Sequence, residues 1–202
     1  MVKNIVFDMG RVLIEYDPMK VCEKFVDEKN REEICTALFQ SPEWIELDRG
    51  SMTEAEVMVI VKDRLPLQSQ KDAAQSCMDH WDQYNIWPKE GMREVVEKVK
   101  EQGFHIYLLS NASLRLRGFQ QMIPGIDLFD GIMVSAEEKC IKPEPEIYHH
   151  LFEKFDLVPE ECFFIDDVQE NIDGAKACGM DGYCFADGDV ERLKRVLEQL
   201  VD

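Results

Sequence analysis

The sequence has few basic residues, and it lacks any long apolar segment. Its 202 residues include 23 Lys and Arg against 41 Asp and Glu, which gives a formal net charge of −18. Nucleic-acid-binding proteins neutralise phosphates with clustered cations. No such cluster is present, so we expect no nucleic-acid partner. No apolar run approaches the roughly 20 residues that are needed to cross a bilayer, so we expect no membrane partner either.

The cysteines and histidines lack the spacing of common metal sites. Seven Cys are present, an odd number without any Cys-x-x-Cys pair, and the four His show no ligand spacing. A zinc site is therefore not expected, and the thiols are predicted to be free in a reducing compartment. Because the N-terminus also lacks the pattern of a secretory signal peptide, the sequence predicts a cytoplasmic protein. We expect either a monomer or a homodimer.

Strand-like apolar segments alternate with helical segments after Pro88, and a further apolar strand is predicted at residues 3–9. This alternation is typical of a parallel sheet with helices on both faces, which is an α/β fold. The later strands are predicted at 104–109, 131–134, 162–165 and 182–185, and the helices at 90–102, from about 113, and at 144–155, 169–178 and 190–201.

Residues 17–87 have a different pattern, which is helical and rich in charge. Asp17-Pro18 is a good helix start, with Asp as the N-cap and Pro at the first helical position. The segment from Thr53 to Glu56 has the spacing of a capping box. The sequence therefore predicts a helical insertion at 17–87 within a core made of 1–16 and 88–202.

Chemically active side chains follow four of the apolar segments. They are Asp8, Ser110, Lys142 and the pair Asp166-Asp167. The carboxyl ends of parallel strands face one crevice, where ligands bind. A carboxylate, a hydroxyl, an ammonium and a carboxylate pair are thus expected in one pocket. Together they suit metal-assisted chemistry on an anionic group.

Two carboxylate sites have distinct expected roles. Asp8 is a candidate nucleophile that attacks phosphorus and forms an aspartyl phosphate, although a strand-end aspartate that caps a turn is the alternative. The Gly10 carbonyl is a candidate metal ligand. Asp166 and Asp167 are oxygen ligands of the kind that suits Mg²⁺, and Asn171 on the next helix is placed to orient them by hydrogen bonds.

Ser110, Asn111 and Lys142 are candidates for binding phosphate. A hydroxyl and the N–H groups at the start of a helix can bind a phosphoryl oxygen. The lysine is a single cation in an acidic chain, and it can neutralise both Asp8 and a bound phosphate. Each signal is weak alone, because Ser-Asn turns and Lys-Pro loops are common.

The order Asp, Ser, Lys, Asp-Asp at these intervals resembles the haloacid dehalogenase superfamily of hydrolases, over nearly the whole chain. The four motifs lie at 7–12, 108–111, 142–143 and 164–171. The resemblance implies a Rossmann-like core, a helical C1-type cap at 17–87 and Mg²⁺ as cofactor.

The resemblance also implies roles for individual residues. Asp8 is the implied nucleophile. The implied metal ligands are Asp8, the Gly10 carbonyl, Asp166 and Asp167, and the implied phosphate contacts are Ser110, Asn111 and Lys142.

Gly10 departs from the pattern of the family's phosphatases, which usually place a second aspartate there to protonate the leaving group and activate water. Such general acid–base help is worth roughly 10² to 10⁴ in rate. The candidates to replace it are Glu15, Asp17, a cap residue or a metal-bound water. The Asp-x-Gly-x-Val form is similar to a subgroup that includes α-glucose-1-phosphate phosphatases, so sugar phosphates lead the expected substrates.

Arg49 lies at the turn between two helices of the insertion, where it is a candidate substrate contact; a solvated turn arginine is the alternative. Trp44, Trp81 and Trp87 are expected to be packing residues, although one of them could line a substrate pocket.

Three functions follow from these residues. The leading one is a Mg²⁺-dependent phosphatase that acts on a small phosphorylated metabolite. The second is a phospholigand-binding or regulatory protein that has lost turnover, which the glycine at position 10 suggests. The third is a metal-free 2-haloacid dehalogenase, which the paired acids Asp166-Asp167 make less favoured.

Overall fold

The computed structural model describes residues 1–201, and a five-stranded sheet is at its centre. The sheet order is β5-β4-β1-β6-β7, and every neighbouring pair is parallel. The predicted α/β fold is therefore confirmed. The strands are β1 (Asn4–Phe7), β2 (Ile14–Tyr16), β3 (Ile86–Pro88), β4 (His105–Ser110), β5 (Gly131–Val134), β6 (Cys162–Asp166) and β7 (Asp181–Cys184).

Helices cover both faces of this sheet and form most of the segment between β2 and β3. They are α1 (Met19–Phe25), α2 (Arg31–Phe39), α3 (Pro42–Arg49), α4 (Glu54–Arg64), α5 (Gln68–Tyr84), α6 (Met92–Glu101), α7 (Leu116–Phe119), α8 (Ser135–Glu138), α9 (Pro145–Phe155), α10 (Gln169–Ala177) and α11 (Val190–Glu198). Within residues 1–201, no helix combines the length and the apolar character that a membrane span requires.

Alternate residues of the central strand pack into two separate cores. Ile5 and Phe7 belong to the core that α6 and α11 cover, whereas Val6 belongs to the core that α9 and α10 cover. All three side chains are fully buried. Burial of such a side chain contributes roughly 1.5–3 kcal/mol. Burial on both faces therefore fixes the strand register and, with it, the position of the residues at the strand ends.

The ends of the helical insertion are held together by β2 and β3. These two strands pair antiparallel, with Tyr16 opposite Ile86. The predicted boundary at 87–88 falls inside β3, a short strand that the sequence pattern did not indicate. The predicted capping box at the start of α4 is confirmed, because Thr53 Oγ1 accepts from the Glu56 N–H and the Glu56 carboxylate accepts from the Thr53 N–H.

The helix predicted from about residue 113 begins at Leu116 and is short. Only the four residues of α7 are α-helical there, and 3₁₀ turns follow at 120–122 and 126–128. Gly118 weakens a helix by roughly 1 kcal/mol relative to alanine. Pro124 cannot continue one, and Gly125 has a φ of 70°. These three residues end the helix early.

Candidate active site

Three neighbouring strands place acidic and hydroxyl side chains at one edge of the sheet. Asp8 directly follows β1, while Ser110 and Asp166 are the last residues of β4 and β6. The Asp8 N–H donates to the carbonyl oxygen of Ile165 at 2.8 Å, which continues the strand pairing by one residue. Asp8 is therefore held as rigidly as the strand that carries it.

Lys142 joins the two acidic strand ends. Its Nζ donates to Asp8 Oδ1 at 2.7 Å, to Asp166 Oδ2 at 2.6 Å and to the Leu109 carbonyl at 3.0 Å. An ammonium has three donors, and all three are used. Burial disfavours the charged form, but the two carboxylates outweigh it and hold the pKa of Lys142 above its ordinary value. The lysine is thus a fixed positive charge at the centre of the site.

Asp166 is fully buried, and both of its oxygens are occupied. Asn171 Nδ2 lies 3.0 Å from each carboxylate oxygen, and the Val168 N–H donates to Oδ1 at 2.8 Å. With the bond from Lys142, three donor groups make four contacts with this carboxylate. Asn171, the residue predicted to orient the paired acids, thus donates to Asp166, whose carboxylate in turn contacts Lys142. The predicted metal contact of Asp166 stays a prediction.

Asp8, Asp166 and Asp167 bring three carboxylates together. One oxygen from each lies within 4.8 Å of the other two. Burial raises the pKa of Asp8 to about 7; Lys142 opposes this rise, and Asp166 adds to it. Burial and Asp166 also raise the pKa of Asp167, against the charges of Arg11 and Lys142. Such crowded acidic oxygens fit a hard divalent cation, which would favour their charged forms.

Asn111 couples the end of β4 to the lysine. Its Nδ2 donates to the Lys142 carbonyl oxygen at 3.0 Å, and its Oδ1 accepts from the Lys142 N–H at 2.8 Å. The side chain of Asn111 therefore holds the Lys142 loop in place. Because Asn111 also lines the cavity, its predicted phosphate contact stays a prediction. Ser110 is 1% exposed. The cavity wall beyond it consists of Asn111, Ala112 and Ser113.

A cavity of about 240 Å³ opens from these carboxylates toward the insertion. Trp44, Trp81 and Phe119 form one wall, with ring centroids 5.5 Å and 5.7 Å apart in edge-to-face contacts. Two of the three tryptophans thus line a cavity, whereas Trp87 is 40% exposed and outside it. The remaining apolar side chains of the lining are Met9, Ile14, Ile86, Ala112, Leu116 and Val168, and Tyr16 lines the cavity as well.

Arg49 does not line the cavity, which corrects its predicted role as a substrate contact. Its two terminal nitrogens donate to the Glu144 carboxylate at 2.6 Å and 2.7 Å. The preceding residue, Asp48, does line the cavity. Sequence reasoning missed Asp48, because its position depends on core residues more than 60 positions away.

The geometry is that of a known enzyme family. A model of the haloacid dehalogenase-like hydrolases matches residues 2–179. The chain belongs to this family. The predicted family, and with it the prediction of a hydrolase, is therefore confirmed.

Three similar proteins extend this result. A sesquiterpene phosphatase, AstK, of Aspergillus oryzae is 28% identical and covers 92% of this chain and 90% of its own. A D-ribitol-5-phosphate phosphatase of Bacteroides thetaiotaomicron is 25% identical, with 91% of both chains covered. The crystal structure of a wild-type HAD family enzyme from Bacteroides thetaiotaomicron, in complex with magnesium and inorganic phosphate, has a TM-score of 0.68 at 27% identity and covers 91% of this chain and 94% of its own. None of the three is an α-glucose-1-phosphate phosphatase, so that narrower resemblance stays a prediction.

Proposed function

We propose that this haloacid dehalogenase-like hydrolase is a Mg²⁺-dependent phosphatase that forms an aspartyl phosphate on Asp8. The observation that carries the proposal is the contact of Lys142 with Asp8 and Asp166 at the inner end of the cavity. A carboxylate held beside a buried ammonium is positioned to attack an anionic phosphoryl group without repelling it. The two curated relatives are both named as phosphatases, which supports this reading.

Each residue of the site has its own proposed role. Asp8 attacks phosphorus, and Lys142 balances the negative charge of Asp8 and of the phosphoryl oxygens. Asp8, the Gly10 carbonyl and Asp167 would hold Mg²⁺, with Asp166 fixing the lysine from behind. When bound, Mg²⁺ supplies positive charge against the phosphoryl oxygens. The related structure with magnesium and phosphate supports this assignment.

The cavity favours a phosphate monoester whose alcohol part is largely apolar. Its wall is mainly aromatic and aliphatic, and an apolar group gains roughly 25 cal/mol for each Å² removed from water there. Few polar groups are free to bind hydroxyls. Beyond the carboxylates and Lys142, the polar side chains of the lining are Tyr16, Trp81, Asn111, Ser113 and Asn171, and both asparagines already make hydrogen bonds within the site. Within the described residues, Ser113 Oγ and Trp81 Nε1 are buried without a hydrogen-bond partner. Both atoms are buried, so neither is exposed to bind a substrate hydroxyl.

Sugar phosphates are the second substrate class, and the ribitol-5-phosphate phosphatase among the relatives supports them. The sesquiterpene phosphatase supports the apolar class instead. The lining favours the apolar class, because buried hydroxyls without partners cost roughly 1–3 kcal/mol each.

A substrate panel tests the function. Purified protein is assayed with phenethyl phosphate, geranyl phosphate and ribitol 5-phosphate, before and after removal of divalent cations and after addition of Mg²⁺. We expect Mg²⁺-dependent phosphate release, higher kcat/KM for the apolar esters, and no turnover by Asp8→Asn. Asp63→Asn, which changes an exposed aspartate on α4, is the matched control and should retain full activity. Equal phosphate release by Asp8→Asn and wild type would overturn the mechanism.

The same panel separates the alternatives. The first alternative is a binding protein without turnover, which the absence of an acid–base side chain at Gly10 suggests. Tight Mg²⁺-dependent binding of these esters without hydrolysis would support that function. Halide release from 2-haloacids that a chelator does not diminish would instead support a dehalogenase.

A further inference from the structure

Asp48 is a carboxyl group of the insertion that faces the candidate active site. It is the penultimate residue of α3 and lines the same cavity as Asp8 and Asp167. These three are the carboxylates of the lining within residues 1–201. Asp8 is the proposed nucleophile and Asp167 a proposed metal ligand, so Asp48 is the carboxyl group of the cavity that remains without a role.

The two carboxylates that the sequence offered for acid–base work are engaged elsewhere. The Glu15 carboxylate pairs with Lys89 at 2.5 Å. Asp17 Oδ1 accepts from the Met19 N–H at 2.9 Å, at the start of α1. Neither residue lines the cavity.

Contacts with the core fix the position of Asp48. Ser135 Oγ donates to the Asp48 carbonyl oxygen at 2.5 Å, and the next residue, Arg49, pairs with Glu144. Gly50 then turns at a φ of 75°, and a Cβ built on it would lie 2.2 Å from the Ala136 carbonyl oxygen. The turn therefore lies directly against the core segment that leads to the catalytic lysine.

The carboxyl group of Asp48 has no cationic partner among the described residues. The Ser113 N–H faces it and favours the charged form, but burial has the larger effect and raises the pKa of Asp48 to about 8. Tyr16 on β2 is the titratable side chain nearby, and its own pKa is raised by burial and by Asp48. A neutral carboxylic acid at pH 7 is a proton donor suited to a leaving alkoxide.

We propose, resting on the phosphatase function above, that Asp48 is the general acid and base that Gly10 does not provide. In-line displacement places the nucleophile and the leaving group on opposite sides of phosphorus. Because Asp8 attacks from the sheet, the displaced alcohol leaves toward the insertion, where Asp48 lies.

The proton and the bonds balance over two steps. In the first, the bond from the Asp8 carboxylate to phosphorus forms, the bond from phosphorus to the ester oxygen breaks, and the Asp48 proton passes to that oxygen. In the second, a water oxygen bonds to phosphorus, its proton passes to the Asp48 carboxylate, and the bond from Asp8 to phosphorus breaks. Inorganic phosphate leaves, and both aspartates are restored.

Leaving-group dependence tests the assignment. Phenethyl phosphate has a poor leaving group that needs a proton, whereas 4-nitrophenyl phosphate has a good one that does not. We expect Asp48→Asn to lower kcat/KM for phenethyl phosphate by about 10² to 10⁴, while kcat/KM for 4-nitrophenyl phosphate falls by less than about tenfold. The retained activity shows that the variant is folded, and Asp63→Asn should change neither value.

A second substitution, Gly10→Asp, places a carboxyl group at position 10 to replace the one that Asp48→Asn removes. The nearest atom to a Cβ on Gly10 is Asp8 Oδ2 at 3.9 Å, so an aspartate fits there. Gly10→Asp in the Asp48→Asn background should restore turnover of phenethyl phosphate. Failure to restore it, in a double variant that still hydrolyses 4-nitrophenyl phosphate, would count against the proposal.

The wild type provides a test that does not depend on the folding of a variant. Its kcat/KM for phenethyl phosphate should fall above about pH 8 as Asp48 loses its proton, and the profile for 4-nitrophenyl phosphate should not show this fall. Identical profiles for the two esters, or an equal loss on both in Asp48→Asn, would overturn the assignment. Absence of all turnover in the wild type, or full turnover in Asp8→Asn, would instead refute the phosphatase function itself.

Discussion

Arg49 in the insertion and Glu144 in the core form an ion pair through both guanidinium nitrogens, two residues away from Lys142. Glu144 also accepts from the Ile141 N–H at 3.2 Å, so the pair reaches the main chain beside the lysine. The insertion is therefore attached to the core at the segment that carries the central cation of the site.

A double-mutant cycle tests the role of this pair. Exposed ion pairs contribute about 0.2–1 kcal/mol, so Arg49→Ala and Glu144→Ala should each lower the free energy of unfolding by about 1 kcal/mol or less. We expect the double variant to lose no more than either single variant, and we expect Arg49→Ala to leave KM unchanged once Glu144 is already alanine. Urea unfolding and steady-state kinetics measure both. A rise in KM on removing Arg49 when Glu144 is already alanine would show that Arg49 binds substrate.

Arg64 and Glu43 supply the matched control. They form a pair of the same two-bond geometry, with both distances 2.7 Å, between α3 and α4. Because this pair lies within the insertion, Arg64→Ala should affect stability by a similar amount and KM not at all.

Alanine substitutions at Gly50 and Gly103 distinguish the cost of a strained backbone from the cost of a steric clash. Both have positive φ, 75° and 89°, but a Cβ on Gly50 would collide with Ala136 whereas one on Gly103 meets nothing within 4 Å. We expect Gly103→Ala to cost about 1–2 kcal/mol of unfolding free energy, from backbone conformation alone. Gly50→Ala should cost more, because the backbone of α8 must also move. Denaturant unfolding of the two variants measures the difference, and equal losses would contradict the close contact.

The raised pKa of Asp48 predicts how stability varies with pH. The folded state keeps the proton of Asp48 up to about pH 8, whereas an unfolded aspartate releases it near pH 4. Between these values the folded state binds more protons, so this group lowers stability as pH rises. Asp48→Asn removes the effect. Its stability relative to wild type should increase from about pH 5 to about pH 8.5 by more than roughly 1.4 kcal/mol, the equivalent of one pKa unit.

The groups around Asp48 determine which controls the measurement of stability against pH needs. Tyr16 and the Ser113 N–H face the carboxyl group, Arg49 on its own helix is paired with Glu144, and Ser135 of α8 contacts its main chain. Asp63→Asn should leave the pH dependence unchanged. Parallel stability curves for Asp48→Asn and wild type would show that the acid is not held neutral.

The residues at strand ends were predictable because of a rule of topology. Once the alternation of strand and helix indicated a parallel sheet, Asp8, Ser110 and Asp166 had to end at one edge of it. Asn171 followed for a local reason, since it lies five residues after Asp166 on the next helix. The lysine needed the family resemblance, because a lone Lys-Pro carries no structural signal.

The parts that could not be predicted depend on contacts between distant segments. Arg49 was expected at the substrate because nothing in its neighbourhood indicates Glu144, which is 95 residues away. Asp48 was missed because the groups that contact it, Ser113 and Ser135, lie far from it in the chain. The short length of the helix after residue 113 has a local cause instead, since Gly118 and Pro124 are visible in the sequence.

The reciprocal bonds between Asn111 and the main chain of Lys142 have a consequence for how this enzyme could change its specificity. They make the end of β4 and the lysine loop one rigid body, so the spacing of the groups around the phosphoryl oxygens cannot be adjusted one distance at a time. Recognition of the anion is thereby invariant. Any new preference for the departing alcohol has to arise on the opposite side of the cavity, where the helices of the insertion can vary without disturbing that body.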